Sequence, residues 1–291
     1  MALELVNKLP YDHPYRWDGR LFGGPKLWRP DELGVDLALW FDAEDTNSIT
    51  LNGSNVSQWR DKSGNARHAS QATAANQPTY LAAGFNGKPT LQTDGNDTLE
   101  LGATSLGRNV GGITAAIVGV HPVVPGFLSN ANELYISTPN INDTRFAFTP
   151  NPSVSTGDRY AVAGRRLDAD SYQTTSTSTD SVANSGNQWI RVGQLAYSSG
   201  VANHWTDGTQ DQTSAPFQTA GFTSDTDSLR TSIFGGVNNL PAGSQLCEIV
   251  LTHSTMTTAD RQKLEGYLAW KWDLVANLPV SHPYKTTPPT V

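Results

Sequence analysis

Asp42 and Glu44 lie two positions apart where the stretch DLALWFDAEDTNSIT ends its apolar alternation. Alternate residues of a β-strand project from one face, and two carboxylates about 5–5.5 Å apart are what a retaining glycosidase uses as nucleophile and acid/base. This pair is the candidate for acid/base chemistry, although the strand runs into a Thr-Asn-Ser turn at that point. Asp42 with Asp45 in one loop, and Asp94, Asn96 and Asp97 in another, supply the hard oxygens that Ca²⁺ gathers in sixes to eights. Calcium is the one cofactor they suggest; the same residue types also close turns by accepting from nearby backbone amides, with no metal. Trp205, in NHWTDG, is the candidate ring for stacking on a sugar, or else one half of an in-and-out strand alternation. No Ser-His-Asp set, His-Glu-x-x-His or phosphate-loop pattern is present, so no catalytic constellation is assigned. The six histidines are scattered, with His13 and His282 inside His-Pro-Tyr segments where packing suits them better than ligation. Cys247 is the single cysteine, set among Leu246, Ile249 and Val250 as a core thiol.

The elements that would position these residues are mostly short strands. Leu37, Leu39 and Phe41 alternate with Asp36, Ala38, Trp40 and Asp42, which is strand spacing. Further strands are expected over 56–59, 79–81, 89–93, 98–101, 133–137, 145–149, 160–165, 189–197, 203–206, 228–234 and 246–253. Asn86-Gly87 and Asp94-Gly95 are turn dipeptides between them. Residues 113–121 (ITAAIVGVH) form the best core strand, apolar enough to be covered on both faces. The polar run from Ser171 to Gln188 reads as a long exposed loop. Thr257 and Asp260 have capping-box spacing, and Leu264, Tyr267, Leu268, Trp272 and Val275 form one apolar stripe, with Arg261, Lys263, Glu265 and Asp273 off it. The pattern predicts a helix over 258–276, lying as a lid on the strands, and an extended exit over 277–291 enforced by Pro279 and Pro283.

Residues 1–34 interleave prolines with Tyr11, Tyr15, Trp17, Phe22 and Trp28. Proline lowers the entropy cost of ordering and the rings supply burial, so these residues read as an extended arm laid across a groove, the chain's own or a neighbour's, and as the attachment device of the body, residues 35–291. The segment LVNKLPYDHPY at 5–15 repeats LVANLPVSHPY at 274–284 in Leu, Val, Leu, Pro, His, Pro and Tyr. It reads as the tail of a lost or truncated preceding module, with coincidence between two Pro-rich loops as the alternative.

Only 16% of the residues are charged, and the net charge is −7 with no cluster of Lys and Arg, which excludes sequence-independent nucleic-acid binding. No run approaches the roughly 18 apolar residues of a membrane helix, and the opening Met-Ala-Leu-Glu-Leu-Val has no signal-peptide pattern. Membrane insertion is therefore not expected, and synthesis in a host cytoplasm is. The composition suits a β-sandwich with long polar loops.

Two blocks, LALWFDAEDTNSIT through GKPTLQTDGNDTLEL and EIVLTHSTMTTADRQKLEGYLAWKWDLVANLPVSHPY, together resemble the laminin G-like, concanavalin A-like modules of bacteriophage structural proteins and bacterial surface proteins. The resemblance implies an all-β, antiparallel two-sheet jelly roll whose first and last strands are neighbours, capped by the late helix. With no catalytic set found, the leading expectation is a non-enzymatic bacteriophage virion protein on the exposed surface, as capsid decoration, fibre or tail component. Its expected partners are other virion proteins, itself or the shell included, held through the arm. The alternatives are a carbohydrate-binding adhesion module that contacts host-surface glycans through Trp205, and a glycoside hydrolase that uses Asp42 and Glu44.

Overall fold

The computed structural model of the chain describes residues 26–123, 131–151, 159–176, 186–236 and 238–291. Among them are seventeen strands and one α-helix: β1 (Leu37–Asp42), β2 (Ile49–Asn52), β3 (Asn55–Trp59), β4 (Ala69–Ser70), β5 (Thr79–Phe85), β6 (Lys88–Gln92), β7 (Leu99–Leu101), β8 (Ile113–Val120), β9 (Leu134–Ser137), β10 (Thr144–Asn151), β11 (Arg159–Gly164), β12 (Gln173–Ser176), β13 (Gln188–Ala196), β14 (Val201–Thr206), β15 (Thr209–Pro216), β16 (Thr231–Ile233), β17 (Gln245–Thr252) and α1 (Thr258–Lys271). One antiparallel layer runs β15-β14-β13-β8-β17, with β1 and β6 sharing the free edge of β17. The other runs β12-β11-β10-β9-β16-β7-β4-β3-β2. β5 joins them, pairing along β6 and touching β3 at Thr79 and Asn55.

The layers meet face to face as a sandwich. Gly193 of β13 lies so close to Phe148 of β10 and Val162 of β11 that a Cβ there would come within 2.2 and 2.3 Å of their side chains. Tyr197 Oη donates across the gap to the Arg145 carbonyl at 2.9 Å. The buried Arg191 guanidinium sits between the rings of Trp189 and Tyr160, 3.8 and 4.1 Å from their centroids, and donates to Glu133 at 3.2 Å. β8 and β17 are buried over nearly their whole lengths, as the apolar run at 113–121 predicts. The reason is that α1 covers the outer face of the same layer, packing on β8 and β13 and reaching β17 and β14 through its side chains.

α1 starts where its cap is written, with Thr257 Oγ1 accepting from the Asp260 amide at 3.1 Å, but it ends at Lys271 rather than at 276. Asp273 turns left-handed at φ 59°. The last carbonyls are taken from outside, Lys271 by Lys88 Nζ and Trp272 by Asn86 Nδ2 at 2.8 Å. Arg261 and Glu265, assigned to the polar side of the helix, are both buried. They pair with one another at 2.5 Å under the C-terminal tail, so α1 is covered on two sides.

Tyr11, Tyr15, Trp17 and Phe22 of the expected arm lie outside the described residues. Trp28, the arm ring that falls among the described residues, packs on the chain itself: it is 3% exposed and meets Tyr267 edge-on with centroids 6.1 Å apart, while residues 30–36 form 3₁₀ turns instead of continuing extended. The Ser171–Gln188 loop also needs correction, because Gln173–Ser176 is strand β12, paired with β11 through β-branched threonines. Thr175 points inward to His204 at 3.0 Å. No helix among the described residues is long and apolar enough to cross a membrane.

Candidate functional site

Asp42 ends β1 directly across from Glu248 of β17, which brings two carboxylates together beneath α1. Glu248 is fully buried and accepts from Trp40 Nε1 at 2.7 Å, Tyr267 Oη at 2.9 Å, Lys271 Nζ at 2.8 Å and Trp272 Nε1 at 2.7 Å. Lys271 Nζ also lies 2.6 Å from Asp42 Oδ1, and Lys62 Nζ lies 2.7 Å from Asp42 Oδ2. Burial alone would push the Asp42 carboxyl up, but the ammoniums of Lys271 and Lys62 outweigh it and hold the group at about 2. Burial likewise works against the Lys271 charge, and Asp42 and Glu248 reverse that, raising its pKa. Glu44 is pushed up by burial and donates only its amide to Asp42, at 3.1 Å. Asp42 and Glu44 are therefore not an acid/base pair facing a substrate. Asp42, 4% exposed with both oxygens held by lysines, belongs to a saturated ionic core.

The expected calcium ligands divide in the same way. Lys62 Nζ sits between Asp42 and Asp45, 2.9 Å from the latter, so the cation there is supplied by the chain itself. Asp45 also caps the Asn47 amide at 3.1 Å. In the second loop Asp94 accepts from the Asn96 amide at 2.9 Å, and Asp97, buried, accepts from the Asp94 amide at 2.7 Å, which is turn closure. Among the described residues no group of three or more His, Cys, Asp or Glu is placed to hold a metal ion. Trp205 offers no open ring for a sugar: it is 8% exposed on β14 and the Arg261 guanidinium covers it at 4.4 Å. Cys247 is buried in the core, where burial pushes its thiol up.

A different constellation has the geometry of a binding site. Two left-handed turns, Asn86-Gly87 between β5 and β6 and Asp207-Gly208 between β14 and β15, have the Asn-Gly and Asp-Gly chemistry of tight hairpins. They flank the start of β13, with Asn187 and Gln188, and the end of α1, with Asp273, Leu274 and Asn277. These side chains enclose an open pocket of about 460 Å³ with a single apolar residue, Leu274, in its lining. Asp207 Oδ1 accepts from the Ile190 amide at 2.8 Å, while Asn277 Nδ2 reaches the Gln188 carbonyl at 3.1 Å and Asp207 Oδ2 at 3.4 Å. Asp273 faces Lys88 at 3.4 Å. Burial raises the Asp207 carboxyl to about 6 against the pull of the Ile190 amide, Arg191 and Asn277. Of these residues only the Asn86 turn is marked in the sequence. Asp207-Gly208 is an equally readable turn beside Trp205, whereas Asp273 and Asn277 are masked by the apparent continuation of the helix stripe.

No family model and no curated protein matches the chain. Solved structures do share its fold. Trypanosoma rangeli sialidase in complex with sialic acid superposes with TM-score 0.54 at 12% identity, over 83% of this chain and 34% of the sialidase. Domain 4 of AbnA, a GH43 extracellular arabinanase from Geobacillus stearothermophilus, in complex with arabinotriose, gives 0.51 at 10% identity, over 77% of this chain and 95% of that domain. A botulinum neurotoxin type C, whose access to cells depends upon interaction with two ganglioside molecules, gives 0.53 at 12% identity, over 80% of this chain and 51% of the toxin chain. The chain thus spans about a third of the sialidase, half of the toxin chain and nearly all of the arabinanase domain. The expectation of a non-enzymatic chain is overturned here, because glycoside hydrolases contain this sandwich and the fold gives no ground for setting catalysis aside. These likenesses carry the β-sandwich part of the expected resemblance and neither its laminin G-like nor its bacteriophage part. By fold, the chain is an all-β sandwich of the kind present in these sugar-handling proteins.

Proposed function

We propose that the chain is a carbohydrate-binding module and that the pocket between the Asn86 and Asp207 turns is its sugar site. The observation that carries this reading is the lining: amides from Asn86, Asn187, Gln188 and Asn277 and carboxylates from Asp207 and Asp273 around one open volume. Sugar hydroxyls both donate and accept, and neighbouring hydroxyls are matched by amides and carboxylates that converge. A glycan array followed by calorimetric titration of the hits tests it. Asn86→Gly and Asp273→Gly remove the side chains while keeping residues that accept the left-handed backbone of those positions. Each should weaken binding about 10-fold, the upper end for one neutral hydrogen bond lost at Asn86 and the lower end for one lost to the Asp273 carboxylate. Trp205→Phe should leave affinity unchanged. An array without hits, or hits indifferent to both glycine variants, removes the reading.

One observation favours a second reading at the same pocket, glycoside hydrolysis. Asp207, raised to about 6, can protonate a leaving oxygen, and Asp273, facing the Lys88 ammonium, can take a proton from water as the glycosidic bond breaks. Release of reducing ends from the array hits measures it. Turnover should fall as the pH rises through about 6, where Asp207 loses its proton. Asp207→Asn should abolish turnover and keep binding; turnover that survives this substitution rejects the role.

A further inference from the structure

The segment repeated at the two ends of the sequence acquires a meaning once its C-terminal copy is seen in place. Leu274, Leu278 and His282 are buried, and Val275, Pro279 and Tyr284 are half-buried. Ala276, Asn277, Val280 and Ser281 are exposed, Val280 to 92%. The residues shared with 5–15 are Leu, Val, Leu, Pro, His, Pro and Tyr, and six of these seven are the inward ones; only Pro283 faces out. All four positions that differ between the copies face solvent. Chance similarity between Pro-rich loops gives no reason for differences to sort by exposure, whereas a retained docking face does.

The receiving surface is as specific as the ligand. His282 Nε2 lies 3.2 Å from Glu265 Oε2 in a buried seat, with Arg261 on the same carboxylate. Tyr284 lies over Gly266, where a Cβ would come within 2.6 Å of the Tyr284 Cβ. Trp270 Nε1 donates to the Tyr284 carbonyl at 2.8 Å. Lys285 Nζ closes the turn onto the carbonyls of Val275, Ala276 and Leu278 at 2.6–2.9 Å. A helix with a Glu-Gly step is thus a socket for a Leu-Pro-x-x-His-Pro-Tyr segment.

We infer that residues 5–15 are a docking segment for this socket on a second module of the same kind, with His13 against the carboxylate of the Glu-Gly step and Tyr15 over its glycine. The socket of the chain itself is filled by its own tail, tethered at high effective concentration, so the N-terminal copy acts where a socket is open. This gives the arm a partner of defined chemistry; the tail borders the sugar pocket at Leu274 and Asn277, while the docking contacts at His282 and Tyr284 lie outside that lining.

The test uses the full chain with its tail loosened by His282→Ala and Tyr284→Ala, and a fluorescein-labelled peptide of residues 1–20 as probe. The peptide should bind the loosened chain at least about 10-fold more tightly than the wild-type chain, and His13→Ala with Tyr15→Ala in the peptide should abolish binding. No binding to a folded loosened chain, or equal binding by the doubly substituted peptide, overturns the inference. Should the loosened chain not fold, a graft decides: Ala276→Asn, Val280→Tyr and Ser281→Asp give the tail the outward residues of the N-terminal copy, with Asn277 kept because it lines the pocket. The grafted chain should melt within about 3 °C of wild type, and a larger fall overturns the shared docking face.

Discussion

Lys271 is the residue on which the buried charges depend. It is 2.6 Å from Asp42 and 2.8 Å from Glu248, and both carboxylates are closed from solvent. Lys271→Met keeps an unbranched side chain one atom shorter and removes the charge, leaving two buried carboxylates with Lys62 as the remaining ammonium. Removal of one partner from a buried ionic set costs about 3–5 kcal/mol, so denaturant unfolding at pH 7 should show a loss of that order. The pH dependence follows from the direction of the Asp42 shift. Its folded pKa, about 2, lies below the ordinary 3.8, so its stabilising contribution is full above 3.8 and fades as the pH falls through about 2. In the variant the Lys271 ammonium no longer opposes burial, so the same carboxyl takes up its proton at a higher pH than in the wild type and the variant gains relative stability as acid neutralises it. The gap between the two proteins should narrow below about pH 4; a gap that stays constant with pH would show that Lys271 stabilises by packing alone. None of this network is legible in the sequence, because Asp42, Lys62, Glu248 and Lys271 are brought together by the β1–β17 pairing and the docking of α1, not by spacing.

At the scale of the element, α1 illustrates what local signals do and do not specify. Its start is a local event, a threonine hydroxyl on an amide three residues on, and is legible. Its end is imposed by Lys88 and Asn86 from the β5–β6 hairpin, which take the last carbonyls. The apolar stripe through Val275 continues past the real stop because Leu274 and Val275 pack from a new segment and not from the helix. Gly266 is the sharpest test of the buried tail. In an open helix Gly→Ala stabilises by about 1 kcal/mol through propensity, but here the new methyl meets Tyr284. Gly266→Ala should lower the melting temperature and speed carboxypeptidase trimming past Tyr284. A rise in melting temperature with unchanged trimming would show that the tail adapts at no cost.

For the molecule as a whole, the sandwich is legible in alternation, turn dipeptides and the doubly buried run at 113–121, and the neighbourhood of the first and last strands is seen in the β1–β17 ladder. What escapes are polar strands such as β12 and β15, whose Gln and Thr residues resemble loop composition, and the pocket, which four separate parts of the chain assemble. The contact between layers is tightest at Gly193. Gly193→Val overfills it against Phe148 and Val162, and overpacking costs about 1–3 kcal/mol or more. The melting temperature should fall by about 3 °C or more, whereas Gly102→Val, with open space around it, should change little. Equal effects at the two sites would show that the layers are not closely packed there. Finally, Val291 donates to the Lys26 carbonyl at 2.9 Å and Trp28 to the Pro289 carbonyl at 3.0 Å, an antiparallel contact between the two edges of the described body. Tension applied at Lys26 and Val291 would load these bonds one after another, as a zipper opens, and would reach the sandwich only after they had parted. The body hangs beside the line of force instead of lying in it.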